Sequence, residues 1–79
     1  MTIKILGTGC AKCDKLEAMA KQAVDALNWE AKIEKVKDLN EIMDYGVMMT
    51  PGLVINEQVK TSGKLPTIEQ IKGWIQEAN

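Results

Sequence analysis

The sequence contains no histidine, no phenylalanine, only two cysteines and no long run of apolar residues. Residues 1–6 are too few and too charged for the hydrophobic region of a signal peptide, and no other stretch could span a bilayer. The ten basic and eleven acidic residues are spread along the chain, without the basic block that binds nucleic acid. We therefore expect a cytoplasmic protein that interacts with neither membranes nor nucleic acid.

The length of 79 residues predicts one domain that covers residues 1–79. A domain this short buries only about 60–65% of the surface that its unfolded chain exposes, so many such domains depend on several disulfides or on a metal. Here the two cysteines, Cys10 and Cys13, are only three positions apart. A disulfide between such close neighbours closes a very small loop and stabilises a fold little. In the cytoplasm a Cys-x-x-Cys pair is usually catalytic or metal-binding.

The spacing of apolar residues predicts strands and helices that follow one another along the chain. The predicted strands cover residues 2–6, 31–36, 52–55 and 58–61. The predicted helices cover residues 11–27, 39–45 and 68–78. Asn28 and Gly46 are residue types that end helices, and they follow the first two of these segments.

The resulting order, β-α-β-α-β-β-α, predicts an α/β fold. A strand, a crossover helix and a second strand favour a parallel pair. An antiparallel hairpin extends this pair to a four-stranded mixed sheet flanked by three helices. Two sequences with the spacing of a capping box, Asp38 with Glu41 and Thr67 with Gln70, mark the starts of the second and third helices.

Cys10 and Cys13 lie where the loop after the first strand becomes the first helix. Their spacing places one above the other, within the roughly 4.4–6.8 Å between Cα atoms that a disulfide needs. Cys13 is in register with the apolar side of the helix and should point inward, whereas Cys10 should be the more exposed thiol. The helix N-terminus, Lys12 and Lys15 favour a thiolate at Cys10, and Asp14 opposes them. We predict that the pKa of Cys10 lies below its usual value of about 8.5.

Two other roles for the cysteine pair compete with redox exchange. A structural disulfide is disfavoured by the reducing compartment and the small loop. A metal site is the stronger alternative, because Cys-x-x-Cys is half of a tetrahedral zinc or iron site. Two thiolates fall short of four ligands and the chain has no histidine, but a second chain could complete the set, or Cu(I) could accept two sulfurs. A metal-binding module or metallochaperone therefore stays the alternative to redox exchange.

Taken together, these features resemble the thioredoxin superfamily. The resemblance rests on the segment from Gly9 to Cys13 at the start of a helix, on Met49-Thr50-Pro51 before the third strand, and on the hairpin and final helix that follow. More narrowly, the chain resembles the small thioredoxin- or glutaredoxin-like redox-active disulfide proteins of archaea and bacteria. The resemblance covers essentially the whole chain.

This resemblance implies a thioredoxin-like fold and a thiol–disulfide oxidoreductase that needs no cofactor and no metal. Cys10 would attack the disulfide of a substrate, and Cys13 would resolve the mixed disulfide. Pro51 would be cis and packed against the two cysteines, and the backbone of Thr50 would pair with an extended substrate segment. The implied partners are a disulfide-containing protein or small molecule and an upstream reductase as electron donor. The protein itself is expected to be a monomer.

The sequence also departs from better-known members of this superfamily. The residues between the cysteines are Ala11 and Lys12, rather than the Gly-Pro of thioredoxins or the Pro-Tyr of many glutaredoxins. Gly63 is followed by Lys64 and Leu65, where glutaredoxins carry the acidic residues that hold glutathione. Glutathione use is therefore left open.

Five further residues carry expectations of their own. Met48 and Met49 are predicted to lie near the thiols, as packing or as an apolar rim for substrate, with soft-metal binding as the alternative. Trp29 and Trp74 are expected to complete a core that contains no phenylalanine. No partner is predicted for Tyr45.

Overall fold

The computed structural model describes residues 1–9 and 11–78. Cys10 and Asn79 lie outside the described residues, so the expectations for Cys10 stay predictions. The strands are β1 (Thr2–Leu6), β2 (Lys32–Val36), β3 (Gly52–Ile55) and β4 (Gln58–Ser62). The helices are α1 (Ala11–Ala26), α2 (Leu39–Asp44) and α3 (Ile68–Glu77). The predicted order of elements is confirmed, and no boundary differs by more than one residue.

The four strands form one mixed sheet in the order β2-β1-β3-β4. Strand β1 is parallel to β2 and antiparallel to β3, and β3 and β4 form the antiparallel hairpin. The α/β thioredoxin-like architecture predicted from the sequence is therefore confirmed. Strand β1 lies between β2 and β3 in the sheet. The loop that follows it leads to the cysteine pair at the start of α1.

The helix and turn signals are largely confirmed. Thr67 and Gln70 form a complete capping box at the start of α3, with both reciprocal hydrogen bonds present. At α2 the Asp38 side chain accepts a hydrogen bond from the Asn40 N–H at 2.8 Å. No return bond from Glu41 to the Asp38 backbone is recorded in the described residues, so the second predicted box is only half formed.

Helices α1 and α3 pack on one side of the sheet, which we call the closed face. Its core consists of buried residues from β1, β3 and both helices, namely Ile3, Ile5, Leu16, Ala20, Ala23, Val24, Leu53, Ile55, Ile71 and Ile75. Trp29 and Trp74 pack against this core, as expected. Among the helices of the described residues, none has the length and apolarity that crossing a membrane requires.

The other side of the sheet, which we call the open face, is covered in part by the six residues of α2 and by Val47 from the loop after it. Its smaller core consists of Leu6, Val36, Ile42, Val47 and Val54, with Tyr45 packed at the side. Within α2, Ile42 is the buried residue that fixes the helix to the sheet. The remainder of this face is the surface on which the candidate site is built.

Candidate functional site

Cys13 lies in the first turn of α1, and its exposed fraction is only 4%. It continues the buried side of the helix formed by Leu16, Ala20 and Val24, which confirms the predicted inward orientation. The first N–H groups of a helix have no carbonyl partner within the helix, so the start of α1 is electropositive. Cys13 is thus a buried sulfur at a positively polarised helix end.

Gly7 is the residue against which the Cys13 sulfur packs. A Cβ added at Gly7 would overlap Cys13 Sγ and would lie 3.9 Å from the Cβ of Thr50. The Gly7 backbone is held in place by a 2.9 Å hydrogen bond from its N–H to the carbonyl of Val36 at the end of β2. Residues from β1, α1 and the loop before β3 therefore converge on one point.

Gly7 directly follows the first predicted strand, and no role was predicted for it from the sequence. Its absent side chain is what leaves room for the sulfur of Cys13. A glycine next to a buried strand often marks a close approach by another group, and this was the signal available in the sequence. That the approaching group is the sulfur of Cys13 follows only from the position of α1 against the sheet.

The Thr50–Pro51 peptide bond is cis, as the resemblance implies. Pro51 is fully buried, and its carbonyl accepts a 2.8 Å hydrogen bond from the N–H of Gly63. Thr50 is exposed directly beside it. The structure therefore brings Cys13 and Thr50 together around Gly7, with Pro51 as the buried end of the same loop.

The charges around the start of α1 differ from what the sequence suggested. Lys12 is exposed. Asp14, which was predicted to oppose the positive charge of the site, forms an ion pair with Lys35 at 3.2 Å. Lys35 also approaches Glu17 at 3.4 Å, and hydrogen bonds to Asp14 and Glu17 raise the pKa of Lys35.

Lys35 reaches Asp14 because of its place in the sheet. It is the register partner of Ile5, so its side chain lies on the closed face, under α1. The ammonium group partly neutralises the one carboxylate in the first turn of the helix. The electropositive character of the helix start is therefore better preserved than the sequence of α1 alone indicates.

An apolar groove of about 290 Å³ lies on the open face, next to Thr8 and Thr50. We call it the methionine groove, and its other lining residues are Leu39, Ile42, Met43, Val47 and Met48. Three of them are far more exposed than apolar side chains usually are: Leu39 by 63%, Met43 by 67% and Met48 by 92%. Met48 thus lines the groove together with Thr8 and Thr50, whereas Met49 packs against Gly63. The predicted proximity of the two methionines to the thiols stays a prediction.

A second concavity, of about 400 Å³, lies on the other side of α2. We call it the acidic cleft, and it is lined by Lys4, Val36, Glu41, Asp44, Tyr45 and Glu57. Lys4 Nζ donates a 2.7 Å hydrogen bond to the hydroxyl of Tyr45 and forms a 2.9 Å ion pair with Glu57. The Tyr45 hydroxyl in turn donates to Glu57 at 2.9 Å.

The structure therefore supplies the partners that the sequence analysis did not find for Tyr45. Hydrogen bonds to Tyr45 and Glu57 raise the pKa of Lys4, and hydrogen bonds from Lys4 and Tyr45 lower the pKa of Glu57. Lys4 and Tyr45 are 41 positions apart. No local pattern could have paired them.

Comparisons with known proteins agree with this architecture. Residues 1–76 match a family model described as a thioredoxin domain. The chain is 40% identical over 72 residues to a protein named thioredoxin from Methanothermobacter thermautotrophicus, an alignment that covers 91% of this chain and 94% of that protein. It is 42% identical over 72 residues to a thioredoxin from Methanocaldococcus jannaschii, with 91% of this chain and 83% of that protein covered.

Proposed function

The chain belongs to the thioredoxin family and is a thiol–disulfide oxidoreductase, and from this premise we propose that Cys10 and Cys13 carry the exchange. Cys10 is the attacking thiolate and Cys13 the resolving thiol. The observation that carries this assignment is the burial of Cys13 in the first turn of α1, with its sulfur against Gly7. A buried sulfur is shielded from reagents in solution but stays within reach of a sulfur three residues away.

The exchange has two steps. The Cys10 thiolate attacks one sulfur of the substrate disulfide, the substrate S–S bond breaks, and one substrate thiolate leaves as the mixed disulfide forms. Cys13 then loses its proton and attacks the Cys10 sulfur. The mixed disulfide breaks, the second substrate thiolate leaves, and Cys10 and Cys13 are joined. An upstream reductase returns the two electrons, and solvent supplies the two protons that restore the dithiol.

The first step depends on the charge at the start of α1. The helix N-terminus and Lys12 favour the thiolate, and Lys35 offsets Asp14. On this basis we propose that the pKa of Cys10 is lowered and that Lys12 contributes to the lowering. The rate of Cys10 alkylation as a function of pH tests the proposal, and a midpoint at the usual pKa of a free thiol would contradict it.

The second step requires an acceptor for the Cys13 proton. Among residues 1–9 and 11–78 no charged side chain is buried, so no buried carboxylate lies under Cys13 to act as a base. We propose that the departing substrate thiolate, or water, receives the proton. The resolving step then depends on the basicity of the leaving thiol rather than on a second titrating residue of the protein.

Thr50 and Pro51 are proposed to form the substrate-binding edge of the site. Their support is the exposure of Thr50 next to Gly7, and the burial of Pro51, which fixes the loop. The substrate is a disulfide-containing protein or small molecule. The proposed setting is the cytoplasm, where an upstream reductase keeps the chain in its dithiol form.

Cysteine variants test the assignment of roles. Reduced protein is mixed with dithiobis(nitrobenzoate), and the coloured thiolate released is followed by absorbance. Cys10→Ser should lose at least about a hundredfold in rate, since its remaining thiol is buried. Cys13→Ser should release one equivalent of thiolate and accumulate a mixed disulfide on Cys10 that mass spectrometry detects.

Two results would contradict the proposal. One is a Cys10→Ser variant that reacts at the wild-type rate. The other is stoichiometric zinc, iron or copper in the purified wild-type protein that resists chelation, which would favour the metal-binding alternative. Metal content should therefore be measured on the same sample as the kinetics.

A further inference from the structure

Helix α2 separates the methionine groove from the acidic cleft. Leu39 and Met43 lie on the groove side of the helix, and Glu41 and Asp44 lie on the cleft side. Ile42, between them, faces the sheet. The two concavities therefore flank α2, one on each side of the helix.

The methionine groove begins at the candidate site itself. Thr50, which lines the groove, is also the residue of the loop before β3 whose Cβ lies near the position of the absent Gly7 side chain, at 3.9 Å. Exposed apolar area of this kind typically marks a binding surface in a small monomer. Methionine side chains are flexible and adapt to different apolar partners. A substrate segment bound at Thr50 would thus place its neighbouring apolar side chain in this groove.

The acidic cleft has an excess of negative charge. Its lining contains the carboxylates of Glu41, Asp44 and Glu57 but only one ammonium group, that of Lys4. Glu57 is already paired with Lys4, whereas neither Glu41 nor Asp44 forms an ion pair within the described residues. Asp44 lies in the last turn of α2, where the helix dipole disfavours a carboxylate and where no basic residue compensates. A cationic group from outside would relieve this repulsion.

From these observations we propose that α2 selects the substrate. This inference rests on the proposed function and names its substrate class: a protein disulfide flanked by an apolar residue and by a lysine or arginine three to four positions further along. The apolar side chain occupies the methionine groove. The cationic side chain crosses α2 and pairs with Glu41 and Asp44. The separation follows from the helix diameter of about 10–12 Å and the roughly 3.3–3.6 Å that each extended residue spans.

A pair of peptides tests the proposal. Each peptide carries one cysteine as a mixed disulfide with nitrothiobenzoate and a leucine next to it. Each peptide also carries two identical charged residues, one four positions before the leucine and one four positions after it. These residues are lysines in one peptide and glutamates in the other. Reaction with dithiothreitol alone measures the intrinsic reactivity of each peptide, and this difference is divided out of the rates obtained with the reduced protein.

At low ionic strength the reduced wild-type protein should react about tenfold faster with the lysine peptide than with the glutamate peptide. The preference should shrink in 1 M salt, where the screening length falls to about 3 Å. The double variant Glu41→Lys/Asp44→Lys should abolish or reverse the preference. Glu30→Lys/Glu77→Lys changes the net charge equally, at exposed positions away from α2, and should keep it.

The possible failures are distinguishable. Equal corrected rates for the two peptides, or a preference that Glu30→Lys/Glu77→Lys also removes, would overturn the role of α2 while the exchange activity stands. A wild-type protein that reacts with neither peptide nor with dithiobis(nitrobenzoate) would overturn the proposed function itself. Circular dichroism of each variant ensures that only folded proteins are compared.

Discussion

The two faces of the sheet are built differently. On the closed face, long helices α1 and α3 cover the strands, and the core they share is fully apolar. On the open face a helix of six residues covers part of the sheet and leaves a groove on one side and a cleft on the other. The contrast indicates that one face supplies most of the stability and the other supplies most of the recognition surface.

The candidate site lies at the boundary between these two regions. Cys13 belongs to α1 and is packed like a core residue, whereas Thr50 is exposed and lines the groove. A resolving sulfur that must keep its position benefits from the closed face, because a densely packed core holds side chains in fixed places. A surface that must accept different substrates is better placed on the open face, where side chains are exposed.

The largest expected effect comes from truncating the closed face. Leu53 is fully buried between β1 and the helices, so Leu53→Ala should lower the free energy of unfolding by about 2–5 kcal/mol. Met43→Ala on the open face should change it by less than about 0.5 kcal/mol, because Met43 is largely exposed. Urea unfolding of both variants measures the difference. Similar losses for the two would contradict the division between the faces.

A smaller effect is expected at the boundary, where two glycines serve different purposes. Gly7→Ala would force its Cβ into Cys13 Sγ, and such overpacking typically costs about 1–3 kcal/mol. Gly9 has a φ of +94° and no atom near its absent Cβ, so Gly9→Ala should cost about 1–2 kcal/mol through backbone strain alone.

The reactivity of Cys13 distinguishes these two glycine variants. In reduced, denaturant-free Gly7→Ala protein, the displaced Cys13 should be alkylated faster than in the wild type. In Gly9→Ala the rate at Cys13 should be unchanged, since nothing near its sulfur is moved. Peptide mapping of the alkylated cysteine gives the site. An unchanged Cys13 rate in Gly7→Ala would show that the sulfur does not depend on the missing side chain.

The smallest effect concerns the polar cluster on the open face. Hydrogen bonds from Lys4 and Tyr45 lower the pKa of Glu57 below its ordinary value of 4.5. Because the folded pKa is the lower one, the contribution of Glu57 to stability is present above about pH 4.5 and is lost as the pH falls through the folded pKa. Glu57→Gln should therefore lose less stability between about pH 5 and about pH 3 than the wild type.

Urea midpoints at the two pH values measure the effect of Glu57→Gln. Glu30→Gln, which removes an exposed carboxylate that has no ion pair in the described residues, serves as the control and should behave like the wild type. The difference should be modest, since exposed ion pairs contribute little. Identical acid dependence in wild type and Glu57→Gln would show that the Lys4–Tyr45–Glu57 cluster does not contribute to stability.

The elements that could be predicted from the sequence are those whose signals are local. One is the capping box at Thr67, and another is the hairpin turn, in which Asn56 and Glu57 have positive φ. Each depends on residues within four positions of each other. The capping box at Asp38 was predicted by the same reasoning but is only half formed. On a helix of six residues, the side chain of Glu41 faces the acidic cleft instead.

The sequence by itself determined the order of strands and helices, the inward orientation of Cys13 and the family, because each follows from short-range periodicity or from a compact motif. Only the tertiary structure decided that Gly7 makes room for the Cys13 sulfur, that Lys35 offsets Asp14 and that Tyr45 joins Lys4 to Glu57. These contacts link residues 6 to 41 positions apart. They arise from the strand order and register of the sheet, which bring distant residues together and which no local pattern encodes.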